Sequence, residues 1–75
     1  MFAATVNIKE QFGRTVKTLR SKRGLSQEEL AHRCGIHPTY LSGIERGKRN
    51  VALENIYRIA QGLRLSLVDL FRNIK

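Results

Sequence analysis

The sequence has one cysteine, one proline, no tryptophan and no long apolar run. A lone cysteine, Cys34, excludes an intrachain disulfide and fits a reducing compartment. No stretch approaches the roughly 18 apolar residues of a membrane span. The opening residues MFAATV are too short for a secretory signal and lack basic residues before an apolar core. We therefore expect a cytoplasmic protein without a membrane segment.

Acidic residues are also scarce: six Asp and Glu stand against fourteen Lys and Arg, a formal charge of +8. Such an excess favours a polyanionic partner, and nucleic acid is the first candidate. A merely soluble, highly charged surface is the alternative, and charge alone does not decide between them. The 75 residues make one domain (1–75). A core of this size is marginal alone, and oligomerisation is a common remedy.

No segment alternates polar and apolar residues as strands do, and the apolar spacing is that of helices. After a loose tail at residues 1–6, Asn7 can cap a first helix that ends near Gly24. Within that helix, Gly13 either lets another helix approach closely or is simply tolerated. The apolar stripe of the helix consists of Ile8, Phe12, Val16 and Leu19.

Two short helices then meet at a glycine, over about residues 27–46. Ser26 and Glu29 form a capping box for the first of them, which runs as far as the cysteine. Gly35 can adopt the positive φ that ends a helix, and Pro38 suits the first position of the next one. This spacing predicts a helix-turn-helix, whose second helix can enter a DNA major groove.

The C-terminal third predicts two more helices and completes a compact, all-α bundle of five. Ser66 with Asp69 makes a second, weaker capping box, before the fifth helix. One face of the fourth helix carries Leu53, Ile56, Tyr57, Ala60 and Leu63.

The fifth helix has more apolar residues than a small core needs, so we expect a dimerisation region at about residues 51–75. The alternative is that all of these side chains complete the core of one chain. The apolar residues concerned are Leu65, Leu67, Val68, Leu70, Phe71 and Ile74.

The run from Gly24 to Gly47 resembles the Cro/repressor type of helix-turn-helix. The segment from Thr39 to Gly47, followed by Arg49-Asn50-Val51, is most similar to the controller proteins of restriction–modification systems. Two positions depart from that pattern. Ala52 stands where many relatives carry a capping Ser, so Asn50 is an alternative cap for the fourth helix. Pro38 stands where relatives can carry a side chain that reaches DNA.

This resemblance implies a lambda-repressor-like DNA-binding domain and a sequence-specific transcriptional regulator of the bacterial cytoplasm and nucleoid. It would bind double-stranded DNA as a homodimer on a palindromic operator, with one or two dimers per operator and RNA polymerase as a further partner. It would control restriction–modification genes, its own included, as activator and repressor. The alternative is a phage-type repressor, or an antitoxin whose main task is to bind a protein.

The candidate DNA contacts lie around the predicted recognition helix. Tyr40 either contacts a thymine methyl or phosphate, or packs onto the preceding helix; His37 either contacts DNA or caps the helix. Gln27 resembles the phosphate-binding glutamine of the family. The basic residues that follow the helix suit phosphate contacts, or base edges if the docking angle allows. The full set is Gln27, His37, Thr39, Tyr40, Ser42, Arg46, Lys48, Arg49 and Asn50.

The resemblance also implies that Arg20 pairs with Glu45, which would otherwise be an odd acid among basic residues. His32 and Cys34 lie about 200° apart around a helix, so they do not converge on a metal ion with His37. We expect no metal site and no cofactor. No grouping of residues suits nucleophilic or acid–base catalysis, so an enzyme is not expected.

Overall fold

The structure, a computed structural model, describes residues 7–74. Five α-helices and no strand are present in this part of the chain, as the sequence predicted. The helices are α1 (Ile8–Lys22), α2 (Gln27–Cys34), α3 (Pro38–Glu45), α4 (Leu53–Gly62) and α5 (Leu67–Arg72). The proposed tail at residues 1–6 lies outside the described residues. None of the helices in the described part is long and apolar enough to cross a membrane.

Local hydrogen bonds at the helix starts follow the predicted caps. The Asn7 side chain accepts from the Glu10 N–H at 3.2 Å. The capping box before α2 is complete, because Ser26 Oγ accepts from the Glu29 N–H at 3.0 Å and the Glu29 carboxylate accepts from the Ser26 N–H at 2.8 Å. At the start of α5 the Ser66 hydroxyl accepts from the Asp69 N–H at 3.0 Å. Each cap satisfies a backbone N–H that the first helical turn leaves unpaired.

The start of α4 differs from the prediction. Ala52 is its N-cap residue, and no side chain makes a capping hydrogen bond there. The suggestion that Asn50 caps α4 is therefore wrong. An alanine at this position leaves the first N–H groups of the helix without a side-chain acceptor.

The core lies between all five helices and includes the α4 residue Ile59. Here the predicted α4 face needs correction. Leu53 and Tyr57 are 71% and 52% exposed, whereas Ile59 is fully buried. The buried face is the one turned to α2, where Gly62 packs against Cys34 and Leu30. Leu53 and Tyr57 are about one helical turn apart and lie on the outward side of α4, away from that buried face.

In α5, Leu70 was expected at the dimer interface. It is fully buried within its own chain, so this assignment is wrong and Leu70 belongs to the core. A side chain with no accessible surface has nothing to offer a partner. Val68 and Phe71, by contrast, remain 63% and 45% exposed. Ile74 lies beyond the end of α5 at Arg72 and packs partly against the core.

Two glycines let helices approach one another closely. A Cβ built on Gly13 of α1 would overlap the Ile44 carbonyl oxygen and come within 2.8 Å of the Glu45 carbonyl oxygen in α3. A Cβ on Gly62 of α4 would overlap the Cys34 sulfur in α2. The close-approach interpretation of Gly13 is thus confirmed, and the backbones of α1 and α3 are in direct contact.

Cys34 acts as a small apolar residue in this packing. It is 5% exposed, and burial raises the pKa of its thiol to about 11. A thiol that stays protonated is a poor nucleophile and a poor metal ligand. No cluster of three or more metal-binding side chains occurs among the residues that the structure describes.

Candidate nucleic-acid interface

The outward face of α3 begins at its N-terminus. Leu41 and Ile44 on the opposite face are buried in the core, which fixes the helix in place. Thr39 is exposed and Ser42 is half-buried, so both residues remain accessible on a helix whose other face is in the core. Short side chains with donors, acceptors and a methyl group are suited to reading base edges.

His37 is the N-cap of α3. Its Nδ1 accepts a hydrogen bond from the Thr39 N–H at 3.0 Å, so the residue caps the helix, which was one of the two roles predicted for it. An imidazole that accepts through Nδ1 carries its proton on Nε2 when neutral. The side chain is exposed, so capping leaves Nε2 available as a donor. Capping and DNA contact by His37 are therefore compatible.

Tyr40 is half-buried and is held at two places. Its hydroxyl oxygen accepts a hydrogen bond from Asn55 Nδ2, at 3.2 Å, and Asn55 belongs to the first turn of α4. The guanidinium of Arg49 lies 5.5 Å from the centre of the Tyr40 ring. This is the distance of a cation–π contact. Tyr40 thus joins α3 to the loop that follows it and to α4, rather than packing only on α2.

The segment after α3 presents exposed basic side chains at residues 46, 48 and 49, followed by the exposed Asn50. Arg46 is the C-cap residue of α3, and its Nε donates to the Ser42 carbonyl oxygen at 3.4 Å. The stem of Arg49 lies over Gly43 of α3. The absence of a side chain at Gly43 gives Arg49 the room to lie against the helix and reach the Tyr40 ring.

Beneath this surface, Glu45 is the centre of a hydrogen-bond network. Its buried carboxylate accepts from Arg20 Nε at 2.7 Å and from Arg20 Nη2 at 3.0 Å, a bidentate pair. Arg20 Nη1 also donates to the Leu25 carbonyl oxygen at 2.7 Å. Hydrogen bonding to Glu45 raises the pKa of Arg20, and burial opposes this only in part. The pair joins α1, the loop before α2, and the end of α3.

Gln27 belongs to the same network. Its Nε2 donates to Glu45 Oε1 at 2.9 Å, and the side chain is half-buried. This bond directs part of the Gln27 amide group inward, toward Glu45. The amide group has two N–H donors, and the bond to Glu45 uses one of them. Neither this contact nor that between Asn55 and Tyr40 has a signal in helical periodicity, because each joins different helices.

An exposed apolar surface lies on the outer side of α4 and α5. Leu53, Tyr57 and Leu67 line one shallow groove there. Phe71 and Ile74 line a second groove together with Ile8 at the start of α1. Leu65 and Leu67 are partly buried against the core. We call the exposed side chains Leu53, Tyr57, Val68 and Phe71 the apolar patch.

Comparison with known proteins connects this geometry to a family. The helix-turn-helix family pattern matches residues 16–70. The control protein C.BamHI of Bacillus amyloliquefaciens is 49% identical over 67 residues, which cover 88% of this chain and 83% of that protein. The crystal structure of the restriction–modification controller protein C.AhdI from Aeromonas hydrophila superimposes with a TM-score of 0.81 and 43% identity, over 84% of this chain and 96% of that one.

A further solved structure is that of the C.Esp1396I controller tetramer in complex with its natural 35-base-pair operator. It superimposes with a TM-score of 0.87 and 32% identity, over 92% of this chain and 91% of that one. The chain described here belongs to the helix-turn-helix family of DNA-binding regulators, which are not enzymes. Within that family it is similar to restriction–modification controller proteins, as its recognition segment indicated.

Proposed function

We propose that this protein is a sequence-specific transcriptional regulator that binds a roughly palindromic operator as a homodimer and controls restriction–modification genes, its own included. The observation that carries the proposal is the outward polar face of α3, on a fold that superimposes on an operator-bound controller protein. One bound dimer would recruit RNA polymerase, and two adjacent dimers would block it. The protein would act in the bacterial cytoplasm, at the nucleoid.

In this proposal the residues divide by role. Thr39 and Ser42 face base edges, with the free Nε2–H of His37 at the front of the helix. Gln27 contributes its second amide N–H to a phosphate while it stays bonded to Glu45. The residues assigned to the DNA backbone are Tyr40, Arg46, Lys48, Arg49 and Asn50.

Substitutions of exposed side chains can separate backbone contact from base reading. We expect Arg46→Ala to weaken binding to a duplex selected from a random pool and to random duplex alike. The slope of log K against log salt concentration should become less steep by about 0.9, the value for one phosphate contact. We expect Thr39→Ala to weaken binding to the selected duplex by roughly 5- to 150-fold, as for loss of about 1–3 kcal/mol of base discrimination. Random duplex should be nearly unaffected.

Lys22→Ala is the matched control for Arg46→Ala. Lys22 is exposed and lies nine residues after Gly13, which places it on the side of α1 opposite to α3. The substitution removes one positive charge but should leave the salt dependence unchanged. Titrations are followed by fluorescence anisotropy of labelled duplex. Equal binding of selected and random duplex by the unaltered protein would contradict sequence-specific regulation and favour a non-specific binder or an antitoxin.

Dimer formation is proposed to use the apolar patch. Its four large apolar side chains are exposed on α4 and α5, and a two-fold dimer that buries them would place two recognition helices about 34 Å apart. We expect the protein to sediment as a dimer at micromolar concentration and Val68→Glu to sediment as a monomer. Val68 is 63% exposed, so its substitution should leave the fold intact. Thr18→Glu, an exposed site on α1, is the control. A monomer of the unaltered protein would count against the proposal.

A further inference from the structure

Asn55 has no part in the helix-turn-helix pattern, yet it contacts a side chain of the proposed DNA surface. It lies in the first turn of α4, and its Nδ2 donates to the Tyr40 hydroxyl oxygen at 3.2 Å. The side chain is half-buried. The structure therefore joins the first turn of α4 to α3 through one polar contact.

The direction of this hydrogen bond determines what Tyr40 can do. A phenol oxygen that accepts from Asn55 still carries its own hydrogen, which is free to point elsewhere. Among the residues that the structure describes, Asn55 is the hydrogen-bond partner of the Tyr40 hydroxyl, and Arg49 packs over the ring. With one ring face occupied by Arg49, the O–H hydrogen is the group through which Tyr40 can make a further hydrogen bond.

The surroundings of this hydroxyl favour an anionic acceptor. Arg49, which packs over the Tyr40 ring, is exposed, as are Arg46 and Lys48 in the same segment. This concentration of positive charge at the junction of α3 and α4 suits the sugar–phosphate backbone more than a base edge. A phosphate attracted by these cations can also accept a hydrogen bond from a neutral O–H donor.

We propose that Asn55 is a positioning residue that orients the Tyr40 hydroxyl as a hydrogen-bond donor to one DNA phosphate. Asn55 does not touch DNA; it acts by occupying the acceptor side of the phenol oxygen. The inference rests on the proposed function as a DNA-binding regulator. Because the phenol is uncharged, its phosphate contact releases no counterion, and losing it should not change the salt dependence of binding.

A double-mutant cycle tests this role. Binding to the selected duplex is measured over a range of salt for the unaltered protein, Tyr40→Phe, Asn55→Ala and the double variant. We expect Tyr40→Phe to weaken binding about tenfold, as for loss of a hydrogen bond to a charged group. Asn55→Ala should weaken it by a smaller factor, and the double variant should match Tyr40→Phe. All should keep the salt dependence of the unaltered protein.

Asn55→Asp provides a sharper comparison. A carboxylate can only accept, so it would turn the hydroxyl hydrogen inward and remove the donor from DNA. It should weaken binding more in the Tyr40 protein than in the Tyr40→Phe background, where only the added negative charge acts. Thermal unfolding of every variant establishes that binding is measured on folded protein. A merely structural role would lower the melting temperature without this dependence on the hydroxyl.

Several results would overturn the inference. One is that Asn55→Ala weakens binding by the same factor in the unaltered protein and in Tyr40→Phe. Another is that Tyr40→Phe has no effect on binding whereas Arg46→Ala weakens it. In either case the proposed DNA binding would still stand. A loss confined to one base pair would assign the hydroxyl to a base edge instead. Replacement of a single phosphate of the duplex by a neutral methylphosphonate should abolish the effect of Tyr40→Phe when that phosphate is the acceptor. This result would support the proposed phosphate contact. Failure of every variant and of the unaltered protein to bind duplex would refute the proposed function as well.

Discussion

Gly13→Ala is expected to destabilise the protein by at least about 3 kcal/mol, the upper end of what overpacking usually costs. The added methyl would meet backbone carbonyl groups of Ile44 and Glu45, and a backbone cannot rotate away as a side chain can. Relief requires α1 and α3 to separate. A domain of this size has a total stability of roughly 4–11 kcal/mol, so the loss is a large part of it.

Gly43→Ala is the matched control, because it also adds a methyl to a helical glycine. At this position the three atoms nearest to the added methyl all belong to the flexible side chain of Arg49, at 3.1–3.7 Å. We expect stability to be unchanged, or raised by up to about 1 kcal/mol from the better helix propensity of alanine. Urea unfolding followed by circular dichroism measures both variants. Equal stability of the Gly13→Ala and unaltered proteins would show that the two helices can separate at little cost.

Glu45→Ala is expected to cost about 3–5 kcal/mol, because it leaves the Arg20 guanidinium buried without its carboxylate. The side chains of Arg20 and Glu45 are only 12% and 2% exposed, so water does not replace the lost partner. Gln27 also loses its acceptor. Where the variant remains folded at low temperature, we expect it to retain its preference for the selected duplex, so folding is lost before specificity.

Two comparisons distinguish the pair from a simple change of charge. Glu28→Ala removes an exposed acid from α2 and should change stability little. Replacing both Arg20 and Glu45 by methionine removes the pair without leaving a buried charge, and should recover much of the loss. Thermal unfolding is measured for all three variants. An unchanged melting temperature for Glu45→Ala would refute a structural role for the pair.

The parts of the fold that could be predicted from sequence are those set within one helical turn. Asn7, Ser26 and Ser66 each bond a backbone N–H three residues later, so their pattern is visible in the sequence. Gly35 ends α2 with a φ of +70°, as its position indicated. The boundaries predicted for the first three helices follow from such local interactions, and they agree with the structure to within a residue or two.

The orientation of α4 could not be predicted in the same way. Its apolar residues cover more than one face, and periodicity does not reveal which face meets α2. The structure buries Ile59 and exposes Leu53 and Tyr57 because the glycine at position 62 allows the approach of α2 at Cys34. Periodicity likewise did not show which apolar residues of α5 face the core, so Leu70 was assigned to an interface.

The candidate site shows a similar division. The basic turn and the polar face of α3 follow from local sequence, but contacts between helices do not. Arg20 and Glu45, 25 residues apart, were paired only through the family resemblance. The bonds of Gln27 to Glu45 and of Asn55 to Tyr40 were not anticipated at all. A single sequence records which residues are polar, whereas their partners depend on how the helices are arranged in space.

The division of labour within α3 bears on how such a regulator can diverge. Leu41, Ile44 and Glu45 carry the buried contacts that hold the helix, whereas Thr39 carries none of them through its side chain. A change of the exposed Thr39 side chain therefore leaves the folded chain intact. Duplicated copies of the gene can acquire new operators by substitutions on one face, without first passing through an unstable ancestor.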